Sequence, residues 1–364
     1  VSHDARGDVG PLRHLQGDHP VPGELSRAAS EALADVAIAA RDAAEVIVLI
    51  SGGTTSLVAQ AVPEVAHADL PAIFEALLRS GMPIGPMNTV RRRILRWGAG
   101  RLARALAPAR VHCLIVSDVM GSELAAIGSG PCVPDPATAA EVRAAIEASG
   151  VEGVPASLRE YLARVERGET AETPRFGDPE FVGVRTRVIL DNSHALAAVR
   201  DAADSAGLLV LDAPDIAISG EAAELGRTLA HALARAAAAL GAGERRLWVA
   251  GGEPTVTLPS HAQGSGGRCQ ELALACALEW KAHGATALSL LAAGTDGRDG
   301  PTDAAGAVVD ASTVDAILRA GRDPHTDLQA HDAHTALDAG GALLRTGPTG
   351  TNVNDIVLAL LRGP

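Results

Sequence analysis

Lysine is almost missing from this sequence. Lys281 is the only one among 31 basic residues in 364 positions, and all the others are arginines. That excludes a P-loop, which needs a lysine directly after its glycine-rich turn, whereas Lys281 follows Trp280 in a run of helical period. Aromatic residues make up only 2%, so alanine, valine, leucine and isoleucine must fill any core. The cysteines (Cys113, Cys132, Cys269 and Cys276) form no CxxC pair, which argues against a zinc site or a disulfide frame; Cys113 and Cys269 read as buried thiols. No GxGxxG turn follows a strand, so a dinucleotide lacks its expected cradle. No apolar run approaches membrane-span length and no signal-peptide pattern is present, so the expectation is a soluble, cytoplasmic protein with no membrane partner. The formal net charge is −13, which excludes a general nucleic-acid binder.

What is abundant points to a globular α/β protein. The chain is 47% hydrophobic, and its 39 glycines and 21 prolines are spread along it, which fits many tight turns rather than a disordered tract. The length suits two domains. Short β-rich runs alternate with long Ala/Leu/Arg segments of helical period. Strands are expected at Val46–Ile50, Val111–Val116, Val188–Leu190, Leu208–Leu211, Leu247–Ala250 and Leu288–Ala293, with a last apolar strand after Asp355; no element is expected before Leu12. Helices are expected at 195–206, from Glu221 to Leu240 with Ser219 as a plausible N-cap, and at 272–280. The domain boundary is placed near 216, giving domains 1–216 and 217–364.

Chemistry concentrates where strands end. Asp296, Asp299 and Asp303 crowd into GTDGRDGPTDAAG (294–306), after an apolar strand. Carboxylates this close repel unless a cation, a donor or solvent compensates, so the loop reads either as a solvated capping turn or as an oxygen-rich site for Mg²⁺ or substrate hydroxyls. Ser51, Gly52, Gly53 and Thr54 follow the first strand, where backbone N–H groups can cradle an anion or simply turn the chain. Ser117 and Asp118 follow the second, with Ser129 in the same loop system; Asp118 stands where a phosphoryl-transfer enzyme keeps a metal-binding carboxylate. Gly252 and Glu253 close another strand. Gly266, Gly267, Arg268 and Gln270 open a helix, which suggests an anion site made by dipole, N–H groups and guanidinium. The polar loop 347–355 precedes the last strand. His331 and His334 read as surface residues for want of a third ligand, and His194 as the better candidate for a cleft.

The segment from Asn88 to Arg110 carries seven arginines and no acid. On an ideal helix Arg92, Arg93, Arg96 and Arg104 share an arc of about 120°. This is either a solvated basic face or an attractor for a carboxylate or phosphate, and the Gly98-Ala99-Gly100 interruption offers close backbone approach.

Taken together, SGGTTSLV, NTVRRRILRWGAGRLA, IVSDVMGSELAAIGSGPCVPDP, LDNSHALAA, GGEPTVTL, GSGGRCQELALA, AAGTDGRDGPTDAAGAVVD and TGPTGTNVNDI resemble the class II glycerate 2-kinases, the DUF4147/MOFRL family once labelled hydroxypyruvate reductases. The resemblance implies a larger Rossmann-like parallel-sheet domain and a smaller α/β MOFRL-type domain, with the site in the cleft between them. It implies Mg²⁺-dependent transfer of the γ-phosphoryl group of ATP to the 2-hydroxyl of D-glycerate, and is compatible with a homodimer. Arg268, Asp118 and Asp296 are then the catalytic candidates, with Asp118 and Asp296 holding metal. The strand-end residues above, together with Asn88, Arg91, Thr295, Asp299, Thr349, Asn352 and Asn354, bind substrate or nucleotide. Arg268→Ala and Asp296→Ala are expected to abolish activity with little loss of fold.

The sequence also departs from the family pattern. Members open with a strand–turn–helix unit carrying a Gly-Ala-Gly-Lys turn with a catalytic lysine, and this sequence starts after that unit. The family's Val-Arg-Lys-His is Val90-Arg91-Arg92-Arg93, and an asparagine after Arg268 is Cys269. The alternatives are a divergent or truncated non-catalytic homologue binding a small hydroxy acid or nucleotide, and a hydroxypyruvate oxidoreductase.

Overall fold

The computed structural model describes residues 1–2, 7–8, 10–259 and 263–364, which form two compact α/β units, Val1–Ile189 and Leu190–Pro364. In the first, helices α1 (Glu24–Ala40), α2 (Thr54–Leu57), α3 (Leu70–Arg79), α4 (Ile84–Ile94), α5 (Arg101–Leu106), α6 (Ala139–Ser149) and α7 (Ala156–Glu166) surround strands β1 (Glu45–Ile50), β2 (Arg110–Val116) and β3 (Val184–Leu190). The sheet order is β1-β2-β3, and β1 runs parallel to β2 from Glu45↔Arg110 to Ile50↔Ile115. Parallel strands discharge their chains at the same edge, so Ser51–Thr54 and Ser117–Asp118 arrive together. Near the chain start, Ser2 bridges to Gln16, an ordered contact ahead of the first expected element.

The second unit holds α8 (Asn192–Ser205), β4 (Leu209–Leu211), α9 (Ala222–Ala238), β5 (Arg245–Gly252), α10 (Arg268–His283), β6 (Leu288–Gly294), β7 (Gly306–Asp310), α11 (Thr313–Arg319), α12 (Pro324–Gln329), α13 (Ala333–Ala339), β8 (Leu343–Leu344) and β9 (Asp355–Arg362). Its sheet order is β4-β5-β9-β6-β7-β8. Only β4 and β5 are parallel; β9 runs antiparallel between β5 and β6, and β7 and β8 extend the antiparallel part. The division at residue 189/190 differs from the boundary placed near 216. Leu209 pairs with Arg246, so β4 extends this second sheet, and the expected first-domain helix 195–206 packs there with it as α8.

Burial explains the helices. α10 is apolar around nearly its whole circumference, and Leu272, Leu274, Cys276 and Trp280 all lie in the core against Leu229, Leu233 and Trp248. Each such large side chain contributes about 1.5–3 kcal/mol when fully buried. Gly226 of α9 is a packing requirement: a Cβ there would stand 2.3 Å from the Leu272 carbonyl oxygen. All four cysteines are buried thiols. Among the described residues, no helix is long and apolar enough to cross a membrane.

Candidate active site

The register of β9 assembles the second unit's polar cluster. Asp355 pairs with Gly252 at the end of β5 and with Gly294 at the end of β6, so Glu253, Thr295, Asp296 and Asn354 meet at one sheet edge. Arg268, the first residue of α10, reaches that edge. Its Nε and Nη2 donate to the Asp355 carboxylate at 2.6 and 3.0 Å, and Nη1 donates to Glu253 Oε1 at 2.7 Å. These carboxylates are what offset a cation at a helix N-terminus. Glu253 Oε2 also accepts from Asn354 Nδ2 at 2.9 Å. Burial pushes the Asp355 carboxyl up against the opposing pull of Arg268, and the fork geometry is that of two charged groups. The guanidinium keeps N–H groups beyond the three engaged, so it is held in place yet able to receive an anion.

The loop before β9 is fastened to the loop after β6. The Thr295 hydroxyl donates to the Asn354 carbonyl at 2.7 Å and accepts from the Val353 N–H at 2.9 Å. Thr349 donates its hydroxyl to the Thr295 carbonyl at 2.6 Å, and Asn352 Oδ1 accepts from the Asn354 N–H at 3.0 Å. Asn192, which the sequence reading left out of the site, braces the same edge. Its amide donates to the carbonyls of Val353 and Asp355 at 2.8 and 3.0 Å, and a Cβ at Gly251 would stand 2.0 Å from its Oδ1. Its only sequence signal was its place in a turn after a strand. His194 lies exposed beside this brace with Nδ1 2.8 Å from Asp191 Oδ1, at the cap of α8.

The three crowded aspartates have separate roles. Asp299 is buried, and its two oxygens accept the N–H groups of Cys269 and Gln270 at 3.1 and 2.8 Å. It therefore fills the anion position at the start of α10 that the sequence offered to a ligand. Burial raises its pKa to about 6, although the two N–H bonds pull it down. Gly267 is glycine because its missing Cβ would lie 2.3 Å from the Asp299 carboxyl carbon. Gln270 is buried, donating to the Asp299 carbonyl and to Thr302, and Gly266 presses its carbonyl against Gly300. Asp303 is exposed and paired with His334 and Arg345. Asp296 alone stays half-exposed with a backbone N–H, that of Arg298 at 2.9 Å, as its side-chain partner.

In the first unit Asp118 lies against the Ser51–Thr54 turn, and a Cβ on Gly52 would fall 1.8 Å from its Oδ2. Gly53 adopts a left-handed conformation to start α2, whose Thr54 hydroxyl donates to the Ser51 carbonyl at 2.8 Å. The Ser117 hydroxyl is closed on Val119, donating to its carbonyl and accepting its N–H. Ser129 shares a 2.8 Å hydrogen bond with Thr55. Ser51, Thr54, Thr55 and Ser129 line one side of a cavity of about 420 Å³ whose other walls include Trp97, Ile50 and Leu102.

The arginine-rich segment is neither a solvated face nor an open anion attractor. The helix ends at Ile94, and Arg92 and Arg93 turn inward onto Asp135, with Arg93 also bonded to Thr173 and Glu172. Arg101 donates to the carbonyls of Leu95, Gly98 and Arg93, and Arg104 pairs with Glu180. Gly98 and Gly100 approach protein rather than ligand: a Cβ on Gly98 would stand 2.5 Å from the Arg92 carbonyl, and one on Gly100 2.7 Å from Phe181. Arg91 is different, stacking over Phe74 at 4.9 Å with its Nε buried and unpartnered among the described residues. Asn88 lies half-buried one turn before it on α4. The single lysine, Lys281, pairs with Asp315 far along α10 from Arg268.

Two family models match the chain, DUF4147, a domain of unknown function, over residues 2–163 and the MOFRL family over residues 246–355. A D-glycerate 2-kinase of Thermotoga maritima is 32% identical over 98% of this chain and 82% of its own length. The crystal structure of a glycerate kinase from that organism superposes with a TM-score of 0.85, again covering 98% of this chain and 82% of the other. A protein of Agrobacterium vitis provisionally named a hydroxypyruvate reductase is 40% identical over 97% of this chain and 78% of its length. This chain belongs to the class II glycerate kinase family.

Proposed function

We propose that this chain is a glycerate 2-kinase, transferring the γ-phosphoryl group of ATP to the 2-hydroxyl of D-glycerate with Mg²⁺ and releasing ADP and 2-phosphoglycerate. Relatives named glycerate kinase support the kinase class. The observation that carries the reading is Arg268, clamped by Asp355 and Glu253 at the sheet edge where Asp296 keeps a carboxylate in solvent. Hard oxygen donors suit Mg²⁺, and Asp296 supplies them, while Asp299 and Asp303 are engaged elsewhere. Asp118, just past β2, is the proposed metal-holding carboxylate of the first unit. Mg²⁺, when bound, neutralises charge on the phosphoryl oxygens.

The residues do the positioning. Arg268 offers its remaining N–H groups to the substrate carboxylate or to the phosphoryl oxygens, where negative charge develops. As the hydroxyl oxygen bonds to phosphorus, the bond to the departing ADP breaks, and the hydroxyl proton passes to a carboxylate or a positioned water. Arg91 and Asn88 of α4, and the Ser51–Thr54 turn, are the proposed binding groups of the first unit. The test is ADP release with and without D-glycerate, for the native chain and Asp296→Ala. Glycerate-dependent release that disappears in the variant supports the reading, and equal release by both sinks the assignment of Asp296.

A further inference from the structure

We propose that the second unit carries a Zn²⁺ site made by His231, Glu279 and His283, separate from the sheet-edge cluster. His231 stands on α9, and Glu279 and His283 lie one turn apart on α10. His231 Nε2 is 3.2 Å from Glu279 Oε2, and His283 Nδ1 is 3.5 Å from the same oxygen. One ligand atom from each of the three residues falls within a common 4.8 Å. A tetrahedral zinc with bonds of about 2.0–2.2 Å sets its ligand atoms roughly 3.3–3.5 Å apart, so the His231–Glu279 edge already matches and His283 stands within reach of both. The two imidazoles meet edge to face with centroids 4.9 Å apart.

The surroundings fix this arrangement. Trp280, next to Glu279, donates its indole N–H to the carbonyl of Ala230, next to His231, at 3.1 Å in the buried interface. Gly226 lets the two helices approach closely, so their register is set by backbone contact rather than by the exposed side chains. His283 Nδ1 lies 2.9 Å from the Glu279 carbonyl oxygen; donating there fixes the tautomer and leaves Nε2 with its lone pair, the usual support for a metal-binding imidazole. His283 is also the last residue of α10, where the helix dipole favours a cation.

Two neutral imidazoles and one carboxylate suit a borderline cation such as Zn²⁺, with water completing the shell, and do not suit Mg²⁺, which takes oxygen ligands. Glu279 lies eleven residues along α10 from Arg268, about 16 Å at 1.5 Å per residue. The site therefore staples α9 to α10 without touching the sheet-edge cluster. Because zinc would bind the folded unit and not the unfolded chain, it raises the melting temperature.

The experiment is calorimetric titration of the whole protein with zinc chloride, paired with thermal melting, for the native chain, His231→Ala, His283→Ala and Glu279→Gln. His194→Ala is the control, an exposed histidine elsewhere in the unit. The proposal expects one equivalent bound with micromolar or tighter affinity, unmoved by millimolar Mg²⁺, and a melting point raised by several degrees. Affinity should fall at least tenfold in each site variant and be unchanged in the control. All three variants replace half-exposed or exposed groups, so unchanged melting without metal shows that they fold. Stoichiometric binding that survives in the site variants, or no binding in the micromolar range, overturns the proposal.

Discussion

Arg268→Ala tests how the sheet-edge cluster is held together. The sequence alone suggests a variant that loses activity and keeps its fold. The structure changes that expectation, because Asp355 has only 2% of its side chain exposed and Arg268 is its charged partner. Removing one member of a buried pair costs roughly 3–5 kcal/mol, and the low end, about 3 kcal/mol, applies because Arg268 keeps 33% exposure. For a unit of this size that lowers the melting temperature by about 6–12 °C. The loss must also depend on pH. Burial already raises the Asp355 carboxyl, and without Arg268 its main counterweight is gone, so it rises further. A carboxyl whose folded pKa lies above its unfolded value stabilises the fold below the unfolded pKa and loses that contribution as pH rises through the folded one. The deficit of Arg268→Ala is therefore smallest in acid and grows toward neutrality. Adding Asp355→Asn should recover part of it. Melting followed by far-UV circular dichroism between pH 5 and 8 reads all three effects. A fall of under about 2 °C, or a deficit independent of pH, would refute this account of Asp355.

Two other outcomes follow from neighbouring aspartates. Asp296→Ala should lose at least about a hundredfold in kcat, the scale of a lost charge-stabilising group, while its melting point moves by under 2 °C or so, since among the described residues its side chain accepts only the Arg298 N–H. Asp299, with its pKa raised from 3.8 to about 6, stabilises the native state fully below about pH 4 and loses that contribution, on the order of 3 kcal/mol, as pH rises through 6. Urea unfolding of the native chain and Asp299→Asn across that window should show the slope in the first and its disappearance in the second.

The parts of the fold legible in the sequence were those written in local pattern. Val46–Ile50 and Leu288–Ala293 announce strands by apolar runs ending in glycine-rich turns, and both are there as β1 and β6. Long-range pairing carried the rest. Nothing local says that Arg92 and Arg93 will meet Asp135, so a buried ion-pair network looked like a basic face. Asp299 caps a helix that begins thirty or so positions earlier, and without that contact the Gly264–Glu271 turn looked open. Leu209–Leu211 reads as the end of the first half until its pairing with Arg246–Trp248 is seen. The three aspartates could be located but not sorted, because burial and partners, not spacing, separate Asp296 from Asp299 and Asp303.

The most direct measurement of the central claim is product identification. The purified chain is incubated with ATP, Mg²⁺ and D-glycerate, and the phosphoester is assigned by phosphorus NMR. The account predicts 2-phosphoglycerate, formed only with Mg²⁺ present and not formed by Asp296→Ala. A 3-phosphoglycerate product, or no phosphoester together with NAD(P)H-dependent reduction of hydroxypyruvate, would contradict it.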